Sequence, residues 1–210
     1  MRRSLLALTL MPILTASFAI SEEQPSPNVY ASLGYVHLNT DEAIDRQFGI
    51  MAEIESVRQG WPVSWVDLFS DFSLSHQSVA IEDDEASGTY FVLRIGPGRQ
   101  FRLSDFVEGF ATMKFKGTYE WLSINGESQN ANGRAEFYWD YRPEAGLVGE
   151  LNGWAWRTSI FSDGFESRAD RSTLTVGGQL FRKTEAARAD WGIKLQVSAD
   201  KLTAGISVAL

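Results

Sequence analysis

Alternation of apolar and polar side chains with a period of two runs through most of this chain. That period means strands. From Trp191 to Ala199 one face carries Trp191, Ile193, Leu195, Val197 and Ala199, and the other Gly192, Lys194, Gln196 and Ser198. After Asp200-Lys201 the pattern restarts, with Leu202, Ala204, Ile206, Val208 and Leu210 against Thr203, Gly205, Ser207 and Ala209. Two runs joined so tightly form a hairpin.

Taken from the N-terminal side, the same reading predicts strands over 29–38, 47–57, 63–77, 88–95, 101–122, 134–142, 146–158 and 172–182, followed by the final hairpin of 191–199 and 202–210. The stretch 101–122 reads as one long strand, with a short separate element at Phe101–Asp105 as the alternative. Turns are expected at 58–62, at 96–100 (opening with Gly96-Pro97-Gly98), at 143–145 around Pro143, and at 183–190. Longer polar connections fall at 39–46, 78–87, 123–133 and 159–171. The result is about ten strands, with eight as the smaller possibility, most of them about 9–11 residues long, the length needed to cross a bilayer at a tilt. Short connections at one end and long ones at the other suit an all-β, closed, antiparallel up-and-down transmembrane β-barrel.

The N-terminal segment supplies a location. Arg2 and Arg3 precede an apolar run from Leu5 to Ala16, and Ser17-Phe18-Ala19 places small residues where a signal peptidase reads. Residues 1–19 are therefore expected to be a signal peptide cleaved near Ala19, leaving a barrel domain over 20–210. No other stretch holds about 18 consecutive apolar residues, so a membrane would be crossed by strands rather than helices. There is no cysteine, hence no disulfide framework and no lipoprotein anchor. Loss of Arg2 and Arg3 makes the formal net charge of -8 two units more negative, which argues against nucleic acid as a partner.

The C-terminal run resembles the assembly signal of bacterial outer-membrane β-barrels. The matching positions are Thr203, Gly205, Val208 and Leu210, with Leu210 standing where that signal usually has an aromatic residue. The resemblance implies a monomeric protein of the Gram-negative outer membrane. Its partners would be outer-membrane lipid and, during biogenesis, the barrel-assembly machinery.

In such a barrel the polar face turns inward. Glu53, Glu55, Asp67, Asp71, Arg94, Glu108, Lys114, Lys116, Glu120, Glu136, Asp140, Arg142, Glu150 and Lys194 then fill a narrow lumen with both signs of charge. Unpaired charges there would be costly, so a paired network is expected. Trp61, Trp65, Trp121, Trp139, Trp154 and Trp191, with Tyr35, Tyr119 and Tyr141, read as interfacial girdle residues.

Candidate chemistry is thin. His76-Gln77-Ser78 puts an imidazole and a hydroxyl on one strand face, the minimum for nucleophilic hydrolysis. It faintly resembles the His-x-Ser of outer-membrane lipid A deacylases, although Val79 stands where that family has asparagine. The acidic run Glu82–Glu85 has no metal-ligand spacing, and no metal or other cofactor is expected. The leading reading is a non-enzymatic envelope or surface protein with acidic loops. The alternatives are a narrow porin-like channel, a soluble periplasmic calyx with Phe48, Ile50, Phe91, Leu93, Phe137 and Trp139 turned inward, and a lipid-modifying hydrolase at the barrel rim.

Overall fold

The computed structural model describes residues 29–38, 46–61, 63–81, 84–129, 136–162, 173–183, 189–199 and 201–210. The signal segment 1–19 and its Ala19 cleavage position lie outside the described residues. So do 39–45, 82–83, 130–135 and 163–172, which make up much of the polar loops.

The described elements are all strands: β1 (Val29–Leu38), β2 (Arg46–Arg58), β3 (Asp67–Ile81), β4 (Asp84–Arg102), β5 (Val107–Ile124), β6 (Glu127–Ser128), β7 (Glu136–Leu151), β8 (Trp154–Ser162), β9 (Leu174–Arg182), β10 (Asp190–Val197) and β11 (Lys201–Ala209). β6 only folds back on the end of β5. The other ten form one antiparallel ring in the order β4-β3-β2-β1-β11-β10-β9-β8-β7-β5, and β5 pairs with β4 to close it. The first strand meets the last, from Tyr30↔Ala209 to Leu38↔Lys201. We call the end holding Val29 and Ala209 the base and the opposite end the top.

Alternation decides the faces. Leu33, Ile50, Trp139 and Ile193 point out and are 65%, 61%, 67% and 63% exposed, while Lys114 and Arg142 point in at 2% and 4%. This polarity excludes the calyx: Phe48, Ile50, Phe137 and Trp139 are on the outside. Many of the outer aromatics gather in two bands, while Phe72, Phe91, Phe115 and Tyr141 stand on the wall between them. Tyr35, Phe48, Tyr119, Trp121, Phe137 and Trp139 lie toward the top, and Trp61, Trp65, Trp154 and Trp191 lie at the base. Between the bands the outward positions of the described strands carry no charged side chain.

Two expected turns are strands instead. β4 continues through Gly96-Pro97-Gly98 to Arg102, and the chain reverses at residues 103–106. β7 continues through Pro143–Ala145 to Leu151 and reverses at Asn152-Gly153, whose φ values of 51° and 77° are those of a type I′ hairpin turn. The 78–87 connection is also mostly strand, with Ser78 paired to Ser87.

Proline is tolerated in these strands because each sits where a ladder ends or skips. The β4–β5 ladder passes from Ile95↔Phe115 to Gly98↔Thr112, skipping Gly96 and Pro97, and the Thr112 hydroxyl donates to the Pro97 carbonyl at 2.9 Å. Pro143 lies one residue beyond Glu144↔Phe161, the last pair described between β7 and β8. Gly96 is required by space, since a Cβ there would run into the Met113 carbonyl oxygen.

Gly153→Val places a β-branched residue at positive φ and is expected to lower stability by about 1–3 kcal/mol. Pro143→Ala is expected to change it by less than ~1 kcal/mol. Urea unfolding followed by tryptophan fluorescence checks both. The reverse ranking would mean that Pro143 makes the turn.

Candidate functional site: a lumen filled with charge

The inward side chains form a continuous chain of opposite charges across the barrel. Lys194 on β10 places Nζ 2.6 Å from Glu53 Oε2 and 2.6 Å from Glu55 Oε1 on β2. Arg157 on β8 reaches Glu55 at 3.3 Å and Glu144 on β7 at 3.4 Å. Lys114 on β5 bonds Glu144 and Asp71 at 2.8 Å each, and Arg94 on β4 bonds Asp71 at 2.6 Å. Signs alternate from Glu53 to Arg94. Arg142 adds a contact to Glu144 at 3.6 Å, and Lys116 faces Asp140 at 3.9 Å.

The strand order gives these contacts their meaning. β8 and β2 are five places apart in a ring of ten, so Arg157–Glu55 spans the lumen's full width. Lys194 is opposite Gly205, and Gly205 is opposite Gly34. The lysine side chain therefore runs over two glycines at the seam between last and first strands to reach the carboxylates of β2. A Cβ at Gly205 would run into the Leu33 carbonyl oxygen, and one at Gly34 would crowd the Ala204 carbonyl oxygen, so the two strands meet closely here.

Below this layer, toward the base, the lumen is packed with apolar groups. Phe69 and Phe110 stack at 5.8 Å, flanked by Val57 and Val148. Tyr30 and Phe181 meet at 5.5 Å, with Ala155 and Ala209. Arg157 joins the two layers: its guanidinium carbon lies 4.8 Å from the Phe110 ring centroid and 5.3 Å from that of Tyr30. Cations over such faces are attracted by the ring quadrupole. Arg142 lies over Phe161 in the same way, at 3.4 Å. The space left between Glu55, Arg157, Gly177, Gln179 and Lys194 is about 10 Å³, room for about one water. Gln179 Oε1 faces that region buried and without a hydrogen-bond partner in the described structure, the kind of atom an internal water satisfies.

The remaining charged candidates sit elsewhere. Asp67 accepts from the Gly60 and Gln100 amides at 2.9 and 2.6 Å and braces the base turns. Glu150 pairs with Lys183 at 2.7 Å on the basal rim. Glu108 and Glu120 are half-buried at opposite ends of β5. Glu136 begins β7, and its side chain lies outside those described. Thr203 is buried inside, Val208 faces outward, and the Leu210 amide bonds the Val29 carbonyl at 2.9 Å.

Two central members, Glu144 and Arg157, are missing from the sequence reading. Glu144 fell in the assumed turn. The expected strand 146–158 runs through the Asn152-Gly153 turn, where the alternation changes phase, so that Arg157 points inward and Trp156 outward. The apolar layer was missed too, since a polar-inside rule passes over Phe69, Phe110 and Phe181. Their signal was present: each stands in phase with inward charged or polar neighbours, as Phe110 does with Thr112 and Lys114.

His76 and Ser78 lie on the outer face near the top. His76 Nδ1 is 2.9 Å from Thr89 Oγ1, and the Ser78 hydroxyl donates to Glu85 Oε1 at 3.0 Å. Each has its own cross-strand partner.

No family model matches the chain, and no curated protein matches it. Among solved structures it is similar to the translocator domain of the autotransporter NalP from Neisseria meningitidis, at 9% identity over 97% of this chain and 95% of that one, with a TM-score of 0.49. It is also similar to the transport unit of the autotransporter AIDA-I from Escherichia coli, at 7% identity over 97% and 96%, TM-score 0.48. A third is Ail, the attachment invasion locus protein of Yersinia pestis, at 13% identity over 87% and 99%, TM-score 0.38.

Arg157→Met leaves Glu55 and Glu144 each short of one cation and is expected to cost about 3–5 kcal/mol of stability. Leu195→Ala on the outer wall is the control, with a smaller loss expected. Equal losses in urea unfolding would remove the cross-lumen pair from its central place.

Proposed function

We propose that this chain is a Gram-negative outer-membrane β-barrel with a sealed lumen, serving the envelope or cell surface without catalysing a reaction. The observation that carries the reading is the filled interior. An unbroken chain of ion pairs crosses the full width of the barrel above a packed aromatic layer. Ten strands enclose little more than the eight whose interior side chains already fill. Outside, an uncharged belt between two aromatic bands suits hydrocarbon with an interface at each edge. In that setting the base faces the periplasm. The loops at the top, acidic in sequence at 82–85, face the medium or a binding partner.

The channel alternative requires water to pass where Arg157, Lys114 and Lys194 now bridge the walls. The hydrolase alternative requires His76 to take a proton from Ser78, and both side chains face neighbours other than each other.

Cell fractionation tests the location. The protein is expected in the outer-membrane fraction, with a gel mobility that changes on boiling. A soluble periplasmic protein with no shift would sink the membrane reading. Planar-bilayer recording tests the seal. The purified protein is expected to give no discrete conductance steps, and a steady open level would establish a pore instead.

A further inference from the structure

We infer that the outer wall carries a binding site for one anionic phospholipid, with its phosphate at Arg182 and an acyl chain in the groove beside Trp191. The inference rests on the membrane reading above. At the base, Arg182 on β9 is paired across the ladder with Trp154 of β8 on one side and Trp191 of β10 on the other. All three side chains point outward and are exposed. The Arg182 guanidinium carbon lies 5.1 Å from the Trp154 ring centroid, so the indole holds the cation against the wall and leaves its N–H fork available. A planar, always-charged fork suits a phosphate. Tryptophan is the side chain that settles at headgroup depth.

Trp191 also borders the second half of the site. From it an apolar groove of about 380 Å³ runs along the outer wall over the seam of β11, β1 and β2. Small side chains, Ala31 and Ala52, form its floor, and Leu33, Ile54, Ile206 and Val208 its sides. The groove lies within the uncharged belt, and Arg182 lies at the belt's lower edge. A cation at the edge joined by a tryptophan to an apolar channel fits an amphiphile with a phosphate head. A free phosphate would leave the groove empty.

Native mass spectrometry of the folded, detergent-solubilised protein with added phosphatidylglycerol tests the site. The unaltered protein is expected to retain one lipid, and excess inorganic phosphate is expected not to displace it. Arg182→Gln is expected to weaken retention roughly tenfold, the scale of one charge-assisted hydrogen bond. Ala52→Trp, which fills the groove, is expected to weaken it comparably, and Arg99→Gln, in a different part of the basal rim, to leave it unchanged. Retention unaffected by Arg182→Gln and Ala52→Trp, or lost equally with Arg99→Gln, overturns the inference while the heat-dependent gel shift of the same samples still reports the barrel. If the shift itself is absent, the membrane reading falls and this site with it.

Discussion

Pairing of β1 with β11 is the interaction from which the rest of the structure follows. It joins the two ends of the described chain and leaves the ring no open edge. An open edge would expose a row of unpaired amides and carbonyls, costly in any apolar surrounding and a template for aggregation in water. Closure also fixes the diameter. Ten strands of alternating side chains then turn one set inward into a space that those side chains must fill.

Once the interior is closed, its charges have no independent choice of partner. A buried carboxylate without a cation is expensive, and so is the reverse. The solution is a chain in which most members serve at least two neighbours, as Lys194, Arg157, Glu144, Lys114 and Asp71 do. A lumen packed throughout like its base would have avoided that cost. Mixing the two layers makes the arrangement specific, because Arg157 fits only where aromatic faces and two carboxylates converge.

The fold was legible because period-two alternation survives in nearly every strand, and the strand count followed from the turns at each end. The boundaries were less legible, for a definite reason. Pro97 and Pro143 suggest turns, whereas proline breaks a strand only where its missing N–H is needed. Asn152-Gly153 carried the stronger hairpin signal in plain view. That misplacement carries into the site, hiding Glu144 in an expected turn and Arg157 beyond an unrecognised change of phase. Which charges share a partner was never in the sequence, since Glu55 and Arg157 come together only through the ring. The Trp154–Arg182–Trp191 row was hidden likewise, being a property of strand neighbours and not of spacing.

Lys194 crosses Gly205 and Gly34 to reach β2, and this has a consequence in time as well as in space. Its two carboxylate partners precede it by 141 and 139 positions, so Glu53 and Glu55 stand far ahead of it in the chain. Contacts of such separation come late, after the cost of closing the intervening chain has been met. Until β10 is in place Glu53 lacks the lysine that bonds it, and Glu55 is left with only Arg157 of its two paired cations. The lysine then works as a bolt drawn across a door that has already shut.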